Sequence, residues 1–241
     1  FFATAFDIPS ADFLHRLGVP AFKVASGDLS NLPLIRHLTT YGKPMILSTG
    51  GGDLAMVYEA WTQCDTVAPL AILQCTAAYP CPPEELNLRV IETYRTLFPH
   101  VIGLSDHHDG IAYGPVAYTL GARIFEKHFT LSHSWKGADH VFSLEPEGMR
   151  RFVRDVHNTA LALGDGIKRP YESEAPGLYK MAKGLVATDD FPIGYKLRIE
   201  DLAIQSPAQG LPPWKRDKLL DRPLREPLEK GQAITTSGIV E

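Results

Sequence analysis

The sequence has no apolar run approaching the roughly 18 residues of a membrane-spanning helix, and no basic segment leading into an apolar one as in a secretory signal. Cysteine is scarce. Cys64, Cys75 and Cys81 are odd in number and show no CxxC spacing, which argues against a disulfide framework or a zinc ribbon and points to a reducing cytoplasm. Basic excess is missing as well. The 24 Lys and Arg face 28 Asp and Glu, a formal charge of -4, so nothing is left over to neutralise a phosphate backbone and no nucleic-acid partner is expected. What remains, with 44% hydrophobic and 22% charged residues over 241 positions, is an ordinary globular composition. It allows one large domain, or a medium one with an appendage, and small molecules are the expected partners.

Six strand-like runs recur at 1–6, 22–26, 45–49, 71–76, 101–105 and 124–129, separated by helical periodicity at 11–17, 32–38, 54–64, 87–97 and 113–120. Alternating strands and helices, with strands apolar on both faces, predict an α/β fold with a parallel sheet, doubly wound or closed into a barrel. Polar residues gather just after the strands, as in Ser26-Gly27-Asp28 and Ser48-Thr49-Gly50-Gly51-Gly52, and again over 76–83 and 106–110. A barrel collects such loops on one rim, within reach of one ligand, whereas an open sheet spreads them along an edge, so the barrel is preferred. Six strands fall short of the usual eight, and two further βα units are expected ahead of Phe1. A last helix is predicted over 151–164. The proline- and glycine-containing stretch 166–179 reads as a linker between a barrel over 1–165 and a small β-rich domain over 180–241.

Two of the strand-like runs close on histidine: Val101-Ile102-Gly103-Leu104-Ser105-Asp106-His107 and Ile124-Phe125-Glu126-Lys127-His128. Imidazoles at consecutive strand ends, with Glu126 on the same side of its strand as His128, suit one divalent cation at a barrel mouth. The remaining strand-end and helical histidines, His15, His37, His100, His133 and His157, are read as structural. Lys127 alternates away from Glu126 and His128, towards a structural salt bridge. Asp106, His108 and Asp109 are expected to fix the loop and the orientation of His107. Lys23 lies inside an apolar run, where an ammonium is costly to bury unless it meets an anion. Gly50-Gly51-Gly52 reads equally as a phosphate cradle or as a turn.

In order along the chain stand Phe2-Ala3-Thr4-Ala5-Phe6, Phe22-Lys23-Val24-Ala25-Ser26-Gly27-Asp28, Gly42-Lys43-Pro44 through Ser48-Thr49-Gly50, and Leu73-Gln74-Cys75-Thr76-Ala77-Ala78-Tyr79-Pro80. Asn87-Leu88, Gly103-Leu104-Ser105-Asp106-His107, Gly121-Ala122, Glu126-Lys127-His128-Phe129-Thr130, Gly137-Ala138-Asp139-His140 and Phe142-Ser143-Leu144-Glu145-Pro146 follow. The series resembles the N-acetylneuraminate (sialic acid) synthases and their spore-coat polysaccharide relatives, over nearly the whole chain. That resemblance implies a (β/α)8 TIM-type barrel lacking its first two strands in this sequence, followed by a small antifreeze-like, or SAF, domain. It implies a homodimer in which that domain reaches over the partner's barrel.

The implied reaction is a condensation of phosphoenolpyruvate with an aldehyde sugar, N-acetylmannosamine or a related hexose, in surface polysaccharide synthesis. It gives a nine-carbon 2-keto-3-deoxy acid and phosphate. By resemblance Thr4, Lys23, Ser26, Ser48 and Ser105 bind phosphoenolpyruvate, while Tyr79, Glu126 and Asp139 face the sugar, with Glu126 exchanging protons. His107 and His128 would hold manganese, or magnesium or cobalt, as a Lewis acid. Two positions depart from the family pattern: Ala77, where several synthases carry asparagine or serine, and Ser206, where an arginine precedes the proline. A guanidinium fork is not replaced by a short hydroxyl, so the acceptor sugar stays open. Two alternatives also stay open, a Schiff-base aldolase using Lys23 and a noncatalytic sugar-binding homologue.

Overall fold

The computed structural model describes residues 1–64 and 69–239 and separates into two compact units, Phe1–Gly166 and Ile167–Glu241. In the first unit strands and helices alternate as β1 (Ala3–Thr4), α1 (Ile8–Leu17), β2 (Phe22–Val24), α2 (Leu32–Thr39), β3 (Met45–Ser48) and α3 (Leu54–Thr62). They continue as β4 (Leu70–Cys75), α4 (Val90–Leu97), β5 (Val101–Asp106), α5 (Tyr113–Leu120), β6 (Ile124–Lys127) and α6 (Pro146–Ala162). Local chemistry sets the helix starts. Asp7, Asn31 and Asp53 each accept a hydrogen bond from the backbone N–H three residues on, capping α1, α2 and α3. Gly18, at φ 84°, closes α1 in a left-handed conformation that costs glycine little.

All six strands are parallel and lie in chain order, each paired with the next. Their register divides the side chains into two sets. Phe22, Val24, Leu47, Ile72, Ile102 and Leu104 point to the helix side and are buried in one core with Ala11, Leu34, Ile35, Val57 and Ile91. Each such side chain contributes roughly 1.5–3 kcal/mol of burial. The other set follows from Thr4↔Lys23, Lys23↔Ile46, Ser48↔Leu73, Cys75↔Ser105 and Ser105↔Glu126. Directly paired residues in a parallel sheet share a face, as do residues two apart on one strand. Thr4, Lys23, Ser48, Cys75, Ser105 and Glu126 are therefore all on the side away from the helices.

That side is concave. Lys23 on β2 and Glu126 on β6 are separated by four strand spacings, about 19 Å in a flat sheet. Their charged atoms nevertheless meet at 3.1 Å, which requires the sheet to curl around them. Gly103 allows the curl. A Cβ there would lie 2.4 Å from both the Ile124 carbonyl and Leu73 Cδ2, so no larger residue fits the interior of β5. The first unit is thus an α/β half-barrel with a TIM-like sheet.

Differences from the sequence reading concentrate at element ends. β1 has two strand residues rather than six, and β2 stops at Val24, because 26–28 turn into a short 3-10 helix. α6 begins at Pro146, five residues ahead of its predicted start, with the proline in the first turn, where its missing N–H is no loss. The expected linker 166–179 holds a further helix, α7 (Ala175–Met181), with Pro176 in its first turn. Proline in the first turn is compatible with a helix start, so Pro176 opens α7 instead of breaking the chain into a linker. The second unit also carries an antiparallel pair, β7 (Gly184–Ala187) with β8 (Leu202–Gln205), extended by single bridges such as Phe191↔Leu228 and Leu224↔Ile239. Its own core is formed by Leu185, Leu197, Leu211, Leu224 and Ile234. Among the described residues no helix is long and apolar enough to cross a membrane.

Candidate active site

The polar side chains at the C-terminal ends of β2 to β6 meet on the concave face. Lys23, only 7% exposed, is paired with Glu126 Oε2 at 3.1 Å, while Ser105 Oγ donates to Glu126 Oε1 at 3.3 Å. The carboxylate thus bridges a buried ammonium and a hydroxyl. Thr4 lies beside Lys23 in register on the neighbouring strand. Ser26 Oγ accepts from Gly50 N–H at 3.0 Å and donates to Cys75 Sγ at 3.3 Å. Gly50 is needed there, since a Cβ would come within 2.8 Å of Ser26 Oγ. Ser48 stands apart: its hydroxyl is buried and has no hydrogen-bond partner. An unsatisfied buried hydroxyl costs about 1–3 kcal/mol, and such an atom on this face fits an absent ligand.

His107 is buried, and its Nδ1 lies 3.0 Å from the Thr76 carbonyl, which can only accept. Nδ1 therefore carries the proton and Nε2 is the nitrogen with a free lone pair. Burial holds the imidazole below its ordinary pKa, against the Thr76 carbonyl, which pulls the other way. Its ring centroid is 5.2 Å from that of His128, whose Nδ1 faces Asp139 Oδ2 at 3.6 Å. Each ring is thus tethered or approached by oxygen on Nδ1, as metal-binding histidines are. Tyr79 packs on both rings, at 4.2 Å from His107 and 5.7 Å from His128, and Phe142 closes on His128 at 5.0 Å. The pair sits in an aromatic wall.

Two nitrogen donors fit part of the coordination of a divalent cation. No group of three or more His, Cys, Asp or Glu side chains suited to a metal occurs among the described residues. Any further ligands would have to be water or substrate, or groups outside this set, as in sites that keep positions open for chemistry.

Every site residue inferred from sequence lies in this region of the first unit. Asp139, expected from sequence to face a sugar, approaches His128 directly. Two contributors were missed. Cys75 looks like a core residue in an apolar run, although its pairing with Ser105 puts it on the concave face. Phe142 comes from the loop after β6; it stands in one of the motifs that carry the resemblance, but no role follows for it from the sequence. Behind the strand ends, a cleft of about 310 Å³ is lined by Thr49, Gln74, Thr76, Asn87 and Tyr94. Several of its polar groups already have partners: Tyr94 OH donates to Thr49, Thr49 to the Leu73 carbonyl, and Gln74 to the Leu86 carbonyl. It therefore makes a weaker ligand site than the concave face.

A TIM-like α/β sheet with lysine, hydroxyls, carboxylate and paired histidines at its strand ends defines the class. The chain belongs to the NeuB family, whose model matches residues 1–168. It is 37% identical to human N-acetylneuraminate-9-phosphate synthase over 237 residues, covering 97% of this chain and 66% of that protein. With the N,N'-diacetyllegionaminic acid synthase of Campylobacter jejuni it shares 35% identity, covering 92% of this chain and 68% of that protein. Among solved structures, the spore coat polysaccharide biosynthesis protein SpsE of Bacillus subtilis matches 100% of this chain and 73% of its own, with 30% identity and a TM-score of 0.65. The chain thus spans about two thirds of the length of these curated relatives.

Proposed function

We propose that this chain provides most of the active site of an enzyme that condenses phosphoenolpyruvate with an aldehyde sugar, releasing phosphate and forming a 2-keto-3-deoxy acid. The observation that carries the reading is the concave face. One buried ammonium, one orphaned hydroxyl and further hydroxyls stand beside a carboxylate and two imidazoles. An anion with a carboxylate and a phosphate suits the first group, and an aldehyde that must be polarised and protonated suits the second.

In this reading Lys23, Thr4, Ser26, Ser48 and Ser105 bind and orient phosphoenolpyruvate, so that its C3 faces the aldehyde carbon. Arrival of the anion gives Lys23 a second counter-ion and frees Glu126 for proton transfer. As the new carbon–carbon bond forms, Glu126, protonated at that stage, gives its proton to the aldehyde oxygen. Water then adds to C2 and Glu126 takes a proton back from it; the C2 hydroxyl releases its remaining proton to solvent as the C2 carbonyl forms, the C2–O bond to phosphate breaks and phosphate leaves. Tyr79 and Asp139 border the sugar, and the Tyr79 and Phe142 rings exclude bulk water. His107 and His128 would hold the divalent ion, manganese first with magnesium or cobalt as alternatives, and when bound it supplies Lewis-acid polarisation of the aldehyde.

The same reading takes the six strands as the third to eighth of a (β/α)8 barrel and the second unit as an SAF domain that covers the partner's barrel in a homodimer. The three free, buried cysteines suit a cytoplasmic setting. Acceptor choice stays with the residues that depart from the family pattern, Ala77 and Ser206. The printed names of the relatives cover different product acids, which fits a variable acceptor. The aldolase alternative is disfavoured because Lys23 is held in an ion pair rather than presented as a free amine.

Phosphate release from phosphoenolpyruvate, measured with the full reading frame, manganese and a panel of aldoses and N-acetylhexosamines, tests the proposal. Release that depends on an aldose and is abolished by EDTA is expected. Absence of release with every acceptor, or trapping of Lys23 by borohydride with a keto acid, would overturn it.

A further inference from the structure

Behind the wall that carries the two histidines lies a second polar network, on the opposite face of β5 and β6. Asp106 and Lys127 alternate away from Ser105, His107, Glu126 and His128 and pair at 2.9 Å, both side chains being 2% exposed. Asp106 Oδ1 also accepts from His108 N–H at 2.9 Å, and Lys127 Nζ donates to the His108 carbonyl. His108 Nδ1 donates to the Cys81 carbonyl at 3.0 Å, and Cys81 N–H donates to the His107 carbonyl at 3.0 Å. His107 is therefore held from both sides. Its side chain hangs from Thr76, and the residues flanking it in space are tied to Lys127, which sits between Glu126 and His128.

A buried ion pair is weak as a source of stability, because desolvation consumes most of the attraction, and replacing both partners by apolar residues is often neutral or stabilising. The economy of this pair therefore lies elsewhere. Every one of its hydrogen bonds ends on β5, β6 or the backbone next to His107. We infer that Asp106 and Lys127 are positioning residues, which fix the end of β5 against the end of β6 and so set the placement of His107 relative to His128 and Glu126. The inference deepens the proposed function and rests on it for the role of the histidines. Its geometry is independent of that role.

The test compares wild type, Lys127→Arg and the double variant Asp106→Leu/Lys127→Met. The double variant leaves no unpaired charge, so it should fold with a thermal midpoint close to that of wild type. Manganese affinity, measured by EPR titration without substrates, should fall about 10–100-fold in the double variant and recover largely in Lys127→Arg. In parallel, ¹⁵N imidazole spectra should show His107 protonated at Nδ1 in wild type and a mixture of tautomers in the double variant. Unchanged manganese affinity and unchanged imidazole spectra in a folded double variant would overturn the inference. Should wild type bind no manganese, the metal reading fails alone, and the imidazole spectra still decide whether the pair positions His107.

Discussion

Phe22 and Lys23 are neighbours in sequence and opposites in role. Phe22 is fully buried on the helix side of β2, and Lys23 is buried on the concave side against Glu126. The same division runs through the sheet, with Leu47 against Ser48 and Leu104 against Ser105. One face gains stability by removing apolar surface from water. The other spends some of it to hold charge and an unpartnered hydroxyl out of water. Polar groups alone do not mark the difference, because the helix side has them too. There His37 and Tyr41 meet Asp12, and the group is satisfied internally. The helix side has one unpartnered buried group as well, the Trp61 indole N–H, so what distinguishes the concave face is that its unpartnered hydroxyl, Ser48, stands on the same face as a buried ammonium and its carboxylate.

The largest expected effect breaks the chemistry. Glu126→Gln removes the proposed proton carrier and should lower phosphate release by about 10²–10⁴-fold. Because Lys23 is the more buried partner, this variant should also unfold at lower urea than Lys23→Met, which leaves only a carboxylate that water can reach. Next come the two neighbours on β2. Phe22→Ala should cost about 3–5 kcal/mol in urea unfolding, whereas Lys23→Met should stay within about 1 kcal/mol of wild type and lose about 10²–10³-fold in phosphate release. Equal destabilisation by Phe22→Ala and Lys23→Met would mean that the two faces are not divided as described.

A subtler test uses the orphaned hydroxyl. Ser48→Ala removes a buried group with no partner, so the ligand-free protein should gain about 1 kcal/mol in stability. The KM for phosphoenolpyruvate should rise in the same variant. A gain in stability with an unaltered KM would remove Ser48 from the anion site.

Much of this division was readable from the chain. Lys23 stood out because a lysine in an apolar run must meet an anion, and His107 and His128 because both close such runs. Alternation also assigned Lys127 to a salt bridge away from the site. Cys75 escaped because a thiol is apolar enough to pass for core, and only cross-strand register reveals its direction. Phe142 was visible in a motif, but its place against His128 escaped because a loop delivers it, and period-two reasoning has no purchase there. From its residue pattern alone the second unit was legible only as β-rich; the SAF reading came from the resemblance. Much of its pairing consists of single bridges, as between Lys196 and Pro223, too short for an alternating pattern to develop.

The smallest effect sharpens the contrast from the helix side. Burial, reinforced by the Asp12 carboxylate beside it, pushes the Tyr41 hydroxyl from its ordinary 10 up to about 12. The unfolded chain therefore loses this proton at lower pH than the folded one. The contribution of Tyr41 to stability is fully present below pH 10 and is lost as pH rises towards 12. Thermal unfolding between those limits should show a downward slope in wild type that is shallower in Tyr41→Phe. Phosphate release per folded molecule should not differ between the two proteins at neutral pH, because Tyr41 belongs to a satisfied network on the side of the sheet that faces the helices. If Tyr41→Phe instead shifted the KM for phosphoenolpyruvate, stability and chemistry would be coupled through β2, and the separation of the two faces would be only partial.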